Sequence, residues 1–122
     1  MTESDVSNIE SSLNLRLPAA YREAVLDSTV ALPLQMFVDA QTIIGTNLSY
    51  RHSSWLGRPL DRVFFVFGRD SQGNELFMDL DIPGGVIMTA DHARHRGRAE
   101  ARSFKEWLAA VQRKASKQAA IK

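Results

Sequence analysis

Asp70, Asn74, Glu75, Asp79 and Asp81 crowd into one stretch, FFVFGRDSQGNELFMDLD, between two apolar runs. Oxygen ligands at alternate positions are what a calcium loop requires, with Gly at the sixth position and a bidentate Glu at the twelfth. Counted from Asp70, the third and fifth positions are Gln72 and Asn74, the sixth is Glu75 and the twelfth is Asp81. The missing Gly breaks the pattern. A turn accounts for the same residues: Asp70 can accept from the backbone two residues on, and Gly73-Asn74 tolerate positive φ. Asp79 and Asp81 lie about 7 Å apart on one strand face, a separation shared by any alternating acidic strand.

Other chemistry is equally incomplete. Asp91-His92-x-x-His95 could hold a metal with one more carboxylate, but two solvated loop histidines explain it as well. Serines are plentiful without a Gly-x-Ser-x-Gly elbow. Gly84-Gly85 lacks the Lys-Ser/Thr that completes a phosphate loop. The sequence thus predicts no catalytic residue, no metal and no cofactor.

Charge is uneven. Residues 1–90 hold six Lys/Arg against eleven Asp/Glu, and residues 91–122 hold nine against three. Arg94, Arg96, Arg98 and Arg102 form a basic patch that could meet phosphates. No aromatic interleaves them, and no helix-turn-helix, RRM or zinc-finger signature is present, which disfavours nucleic acid.

These residues need a scaffold. A chain of 122 residues, 44% of them hydrophobic, is one globular domain. It has no Cys, so disulfides and thiolate zinc sites are excluded. No apolar run approaches the roughly 20 residues of a membrane helix. The opening MTESDVSNIESS is acidic and Ser-rich, unlike a signal peptide. The expectation is a soluble cytoplasmic protein, with monomer and dimer both open.

Helical spacing of Val6, Ile9 and Leu13 predicts a helix from Ser4 to Leu13, capped by Thr2 or Ser4. Leu17-Pro18 opens a second, with Tyr21, Ala24 and Val25 inward. VALPLQMFV reads as an edge or broken strand because Pro33 lacks a donor. Asp39 caps a short helix, AQTIIGTNL, which Gly45 and Asn47 weaken. Residues 49–61 read as a loop carrying Tyr50, His52 and Trp55, with Trp55 and Leu56 either tucked beneath it or open to a partner.

Val63–Phe67, apolar throughout, suits a central strand. Along Glu75–Asp81, Leu76, Met78 and Leu80 face a core, while Glu75, Phe77, Asp79 and Asp81 face a half-wet side. Val86–Ala90 completes a three-stranded antiparallel meander. DHARHRGRAEAR reads as a loop. Ser103 and Glu106 then open a helix to Lys114, with Phe104, Trp107, Leu108 and Val111 as its apolar stripe. The predicted core comprises Leu13, Tyr21, Val25, Phe64 or Phe65, Met78, Phe104, Trp107 and Leu108. The fold class is α+β: a single domain over 1–114 with a loose basic tail over 115–122.

VFGRDSQGNELFMDL resembles the central hairpin of the SUKH superfamily, the Smi/Knr-like proteins. Leu17-Pro18 with Tyr21 resembles the family's early helix start. Asn47 resembles the Asn near the end of a helix in many members, and Gly85-Val86 the opening of the next strand. Ser103-Phe104-x-x-Trp107-Leu108 resembles the closing helix. One departure is Ser28-Thr29-Val30, where many members have Gly-Gly. The resemblance implies a non-catalytic α+β domain. Bacterial members often serve as immunity proteins that neutralise a toxin encoded beside them, frequently a nuclease. Fungal members regulate cell-wall synthesis. No family binding residue carries over. The sequence's own nominees for a partner-binding face are Glu75, Phe77, Asp79 and Asp81, extended by Tyr50 and Trp55. The expected partner is a cognate protein toxin, with a regulatory protein as the alternative.

Overall fold

The computed structural model describes residues 1–121, with side chains described through Lys117. Its elements are α1 (Glu3–Leu13), α2 (Ala19–Leu26), α3 (Ala40–Arg51), β1 (Phe64–Arg69), β2 (Glu75–Asp79), β3 (Val86–Asp91), β4 (Arg96–Ala101) and α4 (Phe104–Ile121). The strands form one antiparallel sheet in the order β1-β2-β3-β4. The fold is α+β, as the sequence predicts. No helix among the described residues is long and apolar enough to cross a membrane.

Local chemistry sets the helix ends. Thr2 accepts from Asp5 N, and the Asp5 carboxylate accepts from Thr2 N, a reciprocal cap. Pro18 precedes the first residue of α2. Where Gly-Gly is absent, Asp27 makes the turn instead, accepting from the Thr29 backbone and hydroxyl. Ser103 accepts from Glu106 N at the start of α4. That helix runs on to Ile121 rather than ending at Lys114, because Ala, Gln and Lys are good helix formers and no Gly or Pro interrupts them. Most of the stretch expected as a loose tail is therefore helical, and Lys122 lies outside the described residues.

One face of the sheet meets the helices. Phe65, Phe67, Leu76, Met78 and Ile87 pack with residues from all four of them. Tyr21 is the hub, with the rings of Phe65, Phe67 and Phe104 edge-on at 5.5, 6.2 and 5.3 Å. Every predicted core residue is buried except Leu108, which is half-buried, and Phe65 rather than Phe64 fills the shared position.

Three expectations change. The sheet has a fourth strand: Arg96–Ala101, read as loop, pairs with β3. Its Arg, Gly, Ala and Glu carry no strand propensity, so it is held by pairing rather than pattern. The run at Val63–Phe67 is half-buried at Val63 and Phe64 and buried on both faces from Phe65 to Phe67, but it occupies an edge. Its outer side is closed by other groups. Phe37 N donates to Phe67 O at 2.9 Å and Arg69 N to Gln35 O at 2.8 Å. A Cβ at Gly68 would sit 2.1 Å from Gln35 O, so only glycine admits that approach. The stretch around Pro33 thus contributes one bridge, Met36 to Gly68.

Third, Asn47 does not weaken α3, which continues to Arg51. Its amide nitrogen donates to Ile43 O at 2.8 Å and to Val66 O at 2.9 Å, and its carbonyl accepts from Val66 N at 2.9 Å. One fully buried side chain thereby stands in for a missing neighbouring strand.

Candidate partner-binding surface

The second face of the sheet is roofed by the loop after α3. That loop is tied to the helix by Leu60 N donating to Tyr50 O, and to itself by Trp55 N donating to Arg58 O, both at 2.9 Å. Trp55, Leu56 and Leu60 press onto Val66, Phe77 and Ala90 as a second apolar cluster. The β2 face expected to be half wet is therefore covered.

Trp55 is the centre of this roof. Its ring stacks on Tyr50 at 5.8 Å and meets Phe77 edge-on at 5.0 Å. Its indole N–H donates to Glu75 Oε1 at 3.0 Å. His92 Nε2 lies 2.9 and 3.0 Å from the two Glu75 oxygens. An ionised carboxylate only accepts, so His92 donates there. Arg69 donates to the Tyr50 hydroxyl at 3.0 Å and lies over the Phe37 ring. The order Arg69–Tyr50–Trp55–Glu75–His92 thus runs across the sheet as one connected set.

Four of the six residues nominated from sequence come together here: Tyr50, Trp55, Glu75 and Phe77. They come together as packing. Trp55, Glu75 and Phe77 are 8%, 5% and 1% exposed, so the acidic row around an open Phe is not a surface. Asp79 is half-buried and Asp81 exposed. Asp79 accepts from Asp81 N at 3.0 Å as the chain turns out of β2. The tucked reading of Trp55 and Leu56 is the one the structure shows.

Burial pushes the Glu75 carboxyl up, but the hydrogen bonds from His92 and Trp55 outweigh it and hold it below the ordinary value of 4.5. A depressed carboxylate stabilises the fold above 4.5 and loses that contribution as pH falls through its folded value. Glu75→Gln should cost about 1–3 kcal/mol at neutral pH. Its penalty should shrink when urea denaturation is repeated near pH 3. An equal penalty at both values would show that the ionised form does not hold the roof.

Asp70 is committed to its turn. Its Oδ1 accepts from Gln72 N and Asn74 N, both at 2.9 Å. His92 is bound to Glu75, and His95 packs under Gly57. Among the described residues no three His, Asp or Glu side chains gather as a metal cluster.

The four arginines are exposed along the β3–β4 hairpin and beyond. Arg94 lies 3.9 Å from Asp91 and Arg98 3.2 Å from Glu100. Arg96 and Arg102 form no ion pair among the described residues. No spacing in the sequence marks His92 as the partner of Glu75, 17 residues away. Arg58 sits between Gly57 and Pro59, a turn signal that marks it as displayed.

No curated protein and no solved structure matches this chain. A family model does match, and it covers residues 1–110, from α1 through the sheet and into α4. The Tyr21 hub, the Asn47 bridge, the Asp70 turn and the Trp107 helix all lie within that span, and the chain belongs to the SMI1 / KNR4 family (SUKH-1).

Proposed function

We propose that this protein is a non-catalytic protein-binding domain that neutralises a cognate toxin domain, of nuclease type. The observation that carries the non-catalytic part is the state of Glu75. It is the one buried carboxylate among the described residues, and both its oxygens are occupied by Trp55 and His92. A general base must reach a substrate proton, and Glu75 is buried beneath the roof with both oxygens already hydrogen-bonded. What remains available is surface, in two patches of opposite sign. Membership of a family that supplies immunity proteins supports a protein partner. A regulatory partner without toxin activity is the alternative of the same class. The unit that does this is the domain of residues 1–114, acting in the cytoplasm.

Asp79 and Asp81 are the reachable remnant of the acidic row, suited to a basic nuclease surface. Asp79→Lys with Asp81→Lys should weaken the complex with the toxin domain by about tenfold or more. Calorimetric titration of that toxin domain measures it, and the melting temperature of the free variant should stay within a few degrees. Unchanged affinity would remove these two aspartates from the interface.

A further inference from the structure

A small pocket opens between the roof loop and β4, on the face opposite the helices. Phe64, Phe77 and Met88 line its floor, and Leu60 and Pro59 form one wall. Its volume is about 160 Å³, close to that of an apolar cavity known to admit benzene, roughly 150 Å³. Gly97 keeps it open: a Cβ there would stand 2.6 Å from Phe77 Cζ and 3.3 Å from Met88 Sδ. Arg58 and Arg96 stand at the rim with Asp61 and His95. Neither arginine has an ion-pair partner among the described residues. Asp61 already accepts from Val63 N at 3.1 Å.

We propose that this pocket takes one phenyl-sized apolar side chain of the partner protein, flanked there by acidic residues that pair with Arg58 and Arg96. The inference rests on the protein-binding reading and adds to it the location and chemistry of an anchor. An apolar anchor in a desolvated pocket with charges at its margin is the arrangement that concentrates binding energy. Charge complementarity selects the occupant: a basic segment would meet Arg58 and Arg96, both unpaired among the described residues.

The test is an NMR titration of the full chain with three probes: acetyl-Asp-Glu-Phe-Glu-Asp-amide, its Phe-to-Ala analogue, and acetyl-Lys-Lys-Phe-Lys-Lys-amide. The first should bind with a dissociation constant below about 1 mM and shift the amides of Leu60, Met88 and Gly97. The other two should bind at least about tenfold more weakly. Arg58→Glu with Arg96→Glu should reduce binding of the first probe by about tenfold while leaving the melting temperature unchanged. No binding at millimolar probe, equal binding of all three, or indifference to the double substitution would each overturn the pocket. A double variant that still binds the toxin domain fully would also overturn it, yet leave the protein-binding reading intact. A wild-type protein that binds no toxin domain would instead overturn that reading.

Discussion

Trp107→Ala is expected to lower the stability of the domain by about 3–5 kcal/mol. Trp107 is 7% exposed. Its ring meets Phe67 edge-on at 5.2 Å and lies tilted against Phe104 at 5.9 Å. Phe67 belongs to the edge strand and Phe104 to the first turn of α4, so the indole joins the last helix to the first strand. Truncation removes the buried apolar surface and leaves a void between aromatic rings that cannot collapse without leaving their rotamers. Denaturant unfolding of wild type and variant measures the difference. A loss under about 1 kcal/mol would mean that α4 is not part of the core layer. Leu108→Ala, one residue on and half-buried, should cost distinctly less.

Asn47→Leu should cost about 2–4 kcal/mol, although leucine is the better helix former and nearly the same size. The change leaves Val66 N–H and C=O without partners in the interior of an edge strand. Each unsatisfied buried group carries its own desolvation cost. Hydrogen exchange separates this mechanism from a packing defect. The Val66 amide should lose protection well beyond its neighbours in β1 if Asn47 is its partner in solution. Undiminished protection at Val66, with lowered global stability, would assign the loss to packing alone.

These two residues also show what the sequence could reveal. Trp107 announces itself, because Phe104, Trp107, Leu108 and Val111 repeat at the helical period after a Ser cap. The turn at Asp70 is similarly local: its partners are two and four residues away. Asn47 does the opposite. Its propensity argues against a helix interior, and its partner Val66 lies 19 residues away. The apolar run at Val63–Phe67 reports that both faces of a strand are covered. It does not report that a side chain and a bridging segment, rather than a fifth strand, close its outer edge.

The candidate surface was legible by the same measure. Alternation along β2 predicts Glu75, Phe77, Asp79 and Asp81 on one side; β2 ends at Asp79, and Asp81 lies in the turn beyond it. Burial of that side depends on Trp55 and His92, 20 and 17 residues from Glu75. No periodicity encodes those meetings. β4 is hidden for a related reason: its Arg, Gly and Ala carry no strand pattern, and Gly97 is required by Phe77, whose Cζ a Cβ there would approach to 2.6 Å.

Toxin neutralisation is tested most directly by co-expression in a bacterial host. Any toxin domain found encoded beside this gene is induced with and without the full chain, and surviving colonies are counted. Recovery of the two proteins as one complex is checked from the same cells. Wild-type protein is expected to restore growth and to co-purify with the toxin domain. Cells that die despite abundant folded protein, with no complex recovered, would contradict it.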